Sequence, residues 1–485
     1  MDKIRDQMDK IPAWRDLPPA GEGPLYERLA EQIRAAIREG RFREAQRLPS
    51  KRSLAESLGV SLTTINTAYD ILCAEGYLIS YPRSCYRIGP IADLYLHLPQ
   101  PDKKKDAENQ ETPREKAAPG EQVPVRFDFD SKGVDDSLFP EKMVKRIYKR
   151  IIDEGVLSAE PEAKGLMSLR RTLADYLFSA QGLSVNPENI IISYGTMGLF
   201  RFLFDLLPKQ TVYGIEDPGF PALHLGLRRS GKNFCTLELS PEGIRPELLQ
   251  QKKVDAACLT PGHQFPLGIE YSASCKHALI KWAYEKDGRY LIEDDYDGMI
   301  RHRAAGESLR RLDPAGDKVI YIGSFSRSWS PGLRISYVCL PDPLRDKACR
   351  IGMPQSNPVP LTEQSFLAEL IRSNVFERHL NRARRLYRRK RKRLIEAIEK
   401  SSLPWTLFAG PAGLHMTAAI PEGAVTAEDF VNAAAGCGIH IQCMQEYCFN
   451  CQRPYDLIIG FGRLPEEDIS EAVKALEDCW AKVSG

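Results

Sequence analysis

The sequence predicts a two-part α/β protein: a small N-terminal module of short helices closed by a hairpin, then a large domain of alternating strands and helices. Three observations carry this. The chain has 485 residues, too many for one ordinary hydrophobic core. Residues 97–124 are rich in Pro, Lys, Glu and Gln and nearly empty of large apolar side chains. Such a stretch cannot bury enough surface to offset its ordering entropy, so it reads as a flexible linker. Beyond Val125, short apolar runs (Ile190 to Gly195, Thr211 to Asp217, Arg289 to Asp295, Lys318 to Ser326) alternate with helical stretches, the pattern of buried parallel strands. The expected boundaries are 20–90 for the N-terminal module, 91–124 for the linker and 125–485 for the large domain.

Composition narrows the function classes. With 43% hydrophobic and 27% charged residues the chain is built like a globular protein. No apolar run approaches the roughly 18 residues of a membrane span. The charged N-terminus lacks the apolar core of a signal peptide, so a cytoplasmic location and no membrane partner are expected. A net charge of +2 does not announce a nucleic-acid partner, and any such case must rest on local pattern. The twelve cysteines are scattered and read as reduced thiols. His440, Cys443, Cys448 and Cys451 form a denser group that would suit zinc chemically. However, Ile439 to Cys443 alternates like a strand and no second CxxC completes a ribbon, so no metal is expected.

In the N-terminal module, Leu25, Leu29, Ile33 and Ile37 recur at helical spacing and Gly40 follows as a stop. Pro49 ends the next stretch. Ser50 is placed to cap a short helix running to about Leu58, and Gly59 permits a tight turn, with Val60 directed into the core. Ser61 can cap a third helix whose Ile65, Ala68, Tyr69 and Leu72 mark its buried face, closed by Gly76. Tyr77 to Ile88 then alternates like a hairpin around Pro82-Arg83-Ser84. Helix, turn, helix and hairpin make a winged helix-turn-helix, whose second helix enters the major groove by its N-terminal residues. Here those are Leu62, Thr63, Thr64, Asn66 and Thr67, and Ser61 at the cap is also expected among the DNA contacts. Thr and Asn suit base edges or phosphates, and Ser50, Lys51 and Arg52 suit backbone contacts. The segment 25–88 resembles the GntR family of regulators, which carries LPS-x-R-x-LA and VS-x-x-T at this spacing. It departs where many relatives have a basic residue, here Leu62, and at a wing tip of Arg83-Ser84-Cys85 without glycine.

In the large domain, Ser193-Tyr194-Gly195-Thr196-Met197-Gly198 joins an apolar run to a helix spanning Leu199 to Leu207, and such a turn offers free N–H groups to a phosphate. Glu216-Asp217-Pro218-Gly219-Phe220, Thr260-Pro261-Gly262-His263-Gln264-Phe265-Pro266-Leu267-Gly268, Leu291 to Asp297 and Gly323 to Arg334 complete the motif set. Together they resemble an aspartate-aminotransferase-type (fold type I) pyridoxal-phosphate domain. With the first module, they resemble the MocR/GabR subfamily of GntR regulators. The resemblance implies that Gly195, Thr196 and Met197 lie at the phosphate and that Phe220 packs on the pyridine ring, although a core aromatic is an equal alternative. It places His263 on the cofactor's edge, Asp294 on the protonated ring nitrogen and Tyr296 on the phenolic oxygen. Ser324, Ser326 and Arg334 would bind phosphate, Arg through its planar fork.

Arg327 stands where that family keeps the Schiff-base lysine. A guanidinium stays protonated and is a poor nucleophile, so covalent attachment and lysine-mediated proton transfer are both lost. A natural sensor and a Lys→Arg exchange that traps one state would look alike. No catalytic residue is therefore expected, and pyridoxal phosphate is expected to bind noncovalently or not at all. Residues 378–393 are the most basic stretch, either an auxiliary DNA surface or, preferably, an arginine-rich exposed helix face with Leu380, Leu386 and Leu394 inward. Arg453 or Arg463 would meet a substrate or effector carboxylate.

The expected function is a homodimeric DNA-binding transcription regulator with a small effector, a pyridoxal-phosphate vitamer or an amino acid. The alternatives are a working aminotransferase with an accessory DNA-binding module, and a DNA-binding protein whose large domain holds another metabolite or serves only dimerisation.

Overall fold

The computed structural model describes residues 23–39, 41–42, 45–81, 85–90, 123–301, 307–351, 357–410, 413–423 and 425–484. Gly40, the wing tip at 82–84 and most of the 91–124 stretch lie outside them. The chain divides into two compact units, residues 1–118 and 119–485.

The first unit holds α1 (Leu25–Arg38), α2 (Lys51–Leu58) and α3 (Leu62–Ala74), followed by β1 (Leu78–Tyr81) and β2 (Cys85–Ile88). Its core gathers Leu29, Ile33 and Ile37 from α1, Leu54 and Leu58 from α2, and Ile65, Ala68, Tyr69 and Leu72 from α3. The capping chemistry is visible. Ser50 Oγ accepts from Ser53 N–H (3.2 Å) and Ser61 Oγ from Thr64 N–H (3.1 Å), each satisfying an orphan donor of a first turn. Gly59 ends α2 at φ 65°, a left-handed conformation that suits glycine. Val60 is only partly buried against this core. β1 and β2 pair antiparallel, Leu78 opposite Ile88 and Tyr81 opposite Cys85. Tyr69 ties the hairpin to α3: its ring meets Tyr86 edge-on at 5.0 Å and its hydroxyl donates to Pro49 O (3.2 Å).

The second unit opens with β3 (Phe127–Asp128), which pairs in parallel with β14 (Ile439–His440). Its centre is an eight-stranded sheet ordered β4-β11-β10-β9-β8-β5-β6-β7. These strands are β4 (Ile190–Tyr194), β5 (Val212–Asp217), β6 (Asn233–Ser240), β7 (Gly243–Ile244), β8 (Ala256–Leu259), β9 (Tyr290–Asp295), β10 (Val319–Ser324) and β11 (Ile335–Cys339). From β10 through β9, β8 and β5 to β6 every pairing is parallel. β11 runs antiparallel to both β10 and β4, so β4 points the same way as the parallel set. The four apolar runs read from the sequence are β4, β5, β9 and β10, buried along nearly their whole length as a sheet covered on both faces requires. A smaller antiparallel sheet, β12 (Thr406–Phe408), β13 (His415–Ala419), β16 (Asp456–Gly460) and β15 (Gln442–Cys443), lies in the C-terminal third. The stretch 439–443 is thus split between two sheets. Among the described residues no helix is long and apolar enough to cross a membrane.

Two helices bear on function. α4 (Gly195–Leu206) starts four residues earlier than the apolar pattern suggested, directly at the end of β4. α5 (Val375–Lys400) contains the basic stretch and buries Leu380 and Leu394, while Leu386 is only half-buried. Much of its charge is engaged within the unit: Arg384 with Glu377, Arg389 and Arg393 with Glu466, and the fully buried Lys390 with Asp135. These cations neutralise neighbouring acids, while Arg378, Arg382, Arg385 and Arg388 stay exposed on the same helix.

Candidate functional site

In the first unit, α3 presents Thr63 exposed and Thr64, Asn66 and Thr67 half-buried, with Leu62 40% exposed at its first position. Buried residues occupy the opposite stripe, so the polar face is free of the core. Ser50 and Ser61 are occupied as caps, and Ser61 Oγ also meets Thr64 Oγ1 at 2.8 Å. Thr67 donates back to Thr63 O (3.1 Å). Lys51 reaches Asp70 (2.9 Å) and lies over the Tyr86 ring at 5.1 Å. Arg52 is exposed and forms no ion pair among the described residues.

In the second unit, β4, β5, β8, β9 and β10 share one direction, so their carboxyl ends bring Tyr194-Gly195, Asp217, Thr260, Asp294-Asp295 and Ser324 to one edge. Open α/β sheets bind ligands outside such an edge. Gly195 sits at φ +65°, and its N–H donates to Arg334 O (2.8 Å). A Cβ there would lie 2.8 Å from the Arg334 guanidinium, so only glycine lets that side chain lie over the start of α4. Arg334 itself adopts φ +51° and forms no ion pair among the described residues. A free guanidinium beside unpaired helix N–H groups is anion-binding chemistry. Ser324 Oγ accepts from Ser326 N–H (3.2 Å) at the end of β10. Thr196 and Met197 are half-buried in the first turn of α4.

Asp294 is 9% exposed, and its Oδ1 has no hydrogen-bond partner among the described residues. Burial, then the charges of Asp295, Glu216 and Asp297, push its carboxyl up to about 8. An orphaned buried carboxyl of this kind fits a cationic ring N–H. Asp297 behaves oppositely. Burial alone would raise it, but His263, Arg301 and Arg327 hold it near about 2. An ionised Asp297 accepts from His263 Nδ1 (2.7 Å), which places the ring proton on Nδ1. The same nitrogen lies 2.8 Å from the Tyr296 hydroxyl oxygen. A protonated Nδ1 cannot accept the phenol's proton, so Tyr296 remains able to donate toward a ligand oxygen.

Arg327 is half-buried at the end of β10. Its guanidinium donates to Ser131 O and lies 5.3 Å from the Tyr296 ring centroid. Phe220 is partly buried, packed on the core beneath α4, and precedes the helix Pro221–Arg229. Arg463 donates to Asp128 (2.7 Å), whereas Arg453 pairs with Asp456 (3.4 Å). Arg463 and Arg327 thus grip one segment three residues apart, and Arg453 does not join them.

Several supporting residues were not legible beforehand. Glu216 is a buried hub that accepts from Thr260 N–H (2.9 Å), Thr260 Oγ1 (2.6 Å), Tyr271 (2.6 Å) and Gln264 (3.2 Å). Arg301 pairs with Asp295 and Asp297. His415 lies beside His263 with the rings tilted and their centroids 5.0 Å apart. The one available hint was Arg301 standing four residues after Asp297.

Comparison with known proteins matches each unit to a family. Residues 25–88 match the model of bacterial regulatory proteins of the gntR family, and residues 133–476 match aminotransferase class I and II. The HTH-type transcriptional regulator YdeL of Bacillus subtilis (strain 168) is 32% identical, covering 94% of this chain and 97% of its own. The HTH-type pyridoxine biosynthesis transcriptional regulator PdxR of Corynebacterium glutamicum is 30% identical over 93% of this chain and 94% of its own. In fold, the crystal structure of an archaeal alanine:glyoxylate aminotransferase superposes with a TM-score of 0.68 at 23% identity, over 74% of this chain and 91% of that one. The fold family is pyridoxal-phosphate-dependent. A gntR-type DNA-binding domain joined to an aminotransferase class I and II domain, with relatives alike over nearly their full length, places the chain in the MocR/GabR-type regulators of the GntR family: it is a DNA-binding transcription regulator with an aminotransferase-like domain.

Proposed function

We propose that the second unit binds pyridoxal phosphate, or a close vitamer, without a covalent bond, and that its occupancy controls DNA binding by the first unit. The observation that carries this reading is Arg327 at the end of β10, turned onto Ser131 O and the Tyr296 ring. It offers positive charge to the pocket and no nucleophilic amine. The name of the relative PdxR, a regulator of pyridoxine biosynthesis, supports a vitamin-B6-type effector.

The residues divide the work. Arg334, Ser324, Ser326 and the N–H groups of Thr196 and Met197 hold the phosphate, and Gly195, whose own N–H is taken by Arg334 O, lets the guanidinium approach them. Asp294 keeps the ring nitrogen protonated, and Tyr296, buttressed by His263 and Asp297, donates to the ring oxygen. Phe220 covers the ring, and Arg463 is the better placed of the two arginines for an effector carboxylate. The bound cofactor would supply an electron-withdrawing pyridine ring. In the first unit, Arg52, Lys51 and Ser50 meet phosphates while Thr63, Thr64, Asn66 and Thr67 read base edges. Ser61 serves that helix as its cap. A homodimer would set two such helices on a two-site operator.

Absorbance titration with pyridoxal phosphate tests the reading. The wild-type protein is expected to bind saturably with a free-aldehyde spectrum, and Arg327→Lys to acquire the spectrum of a Schiff base. The same titration repeated with operator fragments should change their affinity. Schiff-base absorbance in the wild-type protein, or no binding by either form, would overturn the proposal.

A further inference from the structure

From the structure we infer a second binding site in the large domain, for a thiophilic divalent d-block cation of the zinc class, built from Asp217, Cys448 and Cys451. One ligand atom from each of these residues lies within 4.8 Å of the other two, and the site is empty. The spacing Cys448-Phe449-Asn450-Cys451 is the CxxC knuckle that closes around zinc, and a carboxylate oxygen is an accepted third ligand. Two sulfurs with one oxygen select against magnesium and calcium, which require oxygen donors.

Asp217 is what turns a cysteine pair into a site. It ends β5, is buried, and accepts three successive backbone N–H groups of the loop: Phe449 (2.9 Å), Asn450 (2.7 Å) and Cys451 (3.2 Å). These bonds fix the direction of the carboxylate, as outer partners do for metal ligands. Cys451 Sγ lies 3.1 Å from Asp217 Oδ1. No Lys or Arg forms an ion pair with Asp217 among the described residues. A buried carboxylate facing two thiols is a concentration of negative charge once a thiol ionises, and a divalent cation converts that repulsion into coordination. Cys448 and Cys451 are half-buried, which leaves a fourth position for water.

His440 and Cys443, the other members of the group read from the sequence, do not take part. His440 faces Asp128, and the Cys443 thiol faces Glu446. A metal here would pin the loop 448–451 to the segment carrying Phe220, which Gly219 N–H already joins to Tyr447 O (2.9 Å). It would also steady Phe449, stacked on His224 at 4.2 Å. Metal occupancy would therefore bear on the effector pocket from its C-terminal side.

Cobalt(II) titration of the reduced, metal-free full-length protein tests the site. One equivalent should give thiolate-to-cobalt charge-transfer absorbance, displaced by one equivalent of zinc. Cys448→Ser and Cys451→Ser should each abolish that band. Asp217→Asn should weaken binding by roughly tenfold or more, and Asp217→Glu should restore part of it if the Asn variant folds poorly. No charge-transfer band in the wild-type protein would overturn the inference. So would a band that persists in both cysteine variants, or a Cys448–Cys451 disulfide that forms equally well in Asp217→Asn while no metal is held.

Discussion

Asp294 is a buried carboxyl whose surroundings make its protonation part of the fold's stability. Burial and the neighbouring acids raise its carboxyl to about 8, and Glu293 beside it rises to about 7. A raised carboxyl favours the protonated form in the folded state. The stability it confers is therefore complete below the unfolded carboxylate range, near 4, and is lost as pH climbs through the folded value. In urea unfolding of the ligand-free protein, the stability of the second unit should fall as pH rises toward 8. Asp294→Asn should abolish the fall between pH 7 and 8 and lessen it below pH 7, where the Glu293 contribution remains. A pyridinium bound at Asp294 should reverse the effect by favouring the ionised carboxylate. An unchanged slope in Asp294→Asn would show that water or another group already satisfies this carboxyl.

At the scale of elements, α3 sets its core face and the polar face proposed to read DNA on opposite sides of one helix. Ile65, Ala68, Tyr69 and Leu72 are fully buried, and Ser61 supplies the cap. Ile65→Ala should cost about 2–5 kcal/mol, the usual penalty for a cavity of that size. Ser61→Ala should cost only about 1 kcal/mol. Both are read as shifts in the unfolding midpoint. Arg52→Ala should leave stability unchanged, weaken binding to all DNA sequences alike, and reduce the salt slope of affinity by about 1. Asn66→Ala should instead discriminate among operator variants. Anisotropy titrations at several salt concentrations separate the two outcomes. If Arg52→Ala changed sequence preference but not the salt slope, the assignment of phosphate and base contacts would be reversed.

At the scale of the whole molecule, the two units carry separate cores. A ligand held by the second unit should stabilise that unit alone, by about 2.7 kcal/mol at a concentration one hundred times its dissociation constant. Calorimetry with and without pyridoxal phosphate should move one unfolding transition and leave the transition of the first unit in place. Movement of both would show that the units are thermodynamically coupled even without DNA. With a net charge of only +2, the steep salt dependence expected of operator binding must come from the local cations around α2 and α3 rather than from the bulk field.

Local physics accounts for what could be read in advance. Apolar periodicity, capping serines and turn glycines are properties of neighbours in sequence, so α1 to α3, the hairpin and the strands β4, β5, β9 and β10 were legible. At Arg327 the family resemblance supplied the expectation of a lysine, and single-residue chemistry supplied only the consequence that a guanidinium is a poor nucleophile. Long-range packing decided the rest. The antiparallel β11 inside the sheet, the Glu216 hub, the tethering of Arg327 to Ser131 and the separation of Arg463 from Arg453 depend on contacts spanning tens to hundreds of residues. The cysteine group shows the difference most directly. Sequence spacing grouped His440 and Cys443 with Cys448 and Cys451 and gave no expectation of a metal, whereas the fold brings Asp217, 231 positions before Cys448, beside the two cysteines, because β5 ends at that loop.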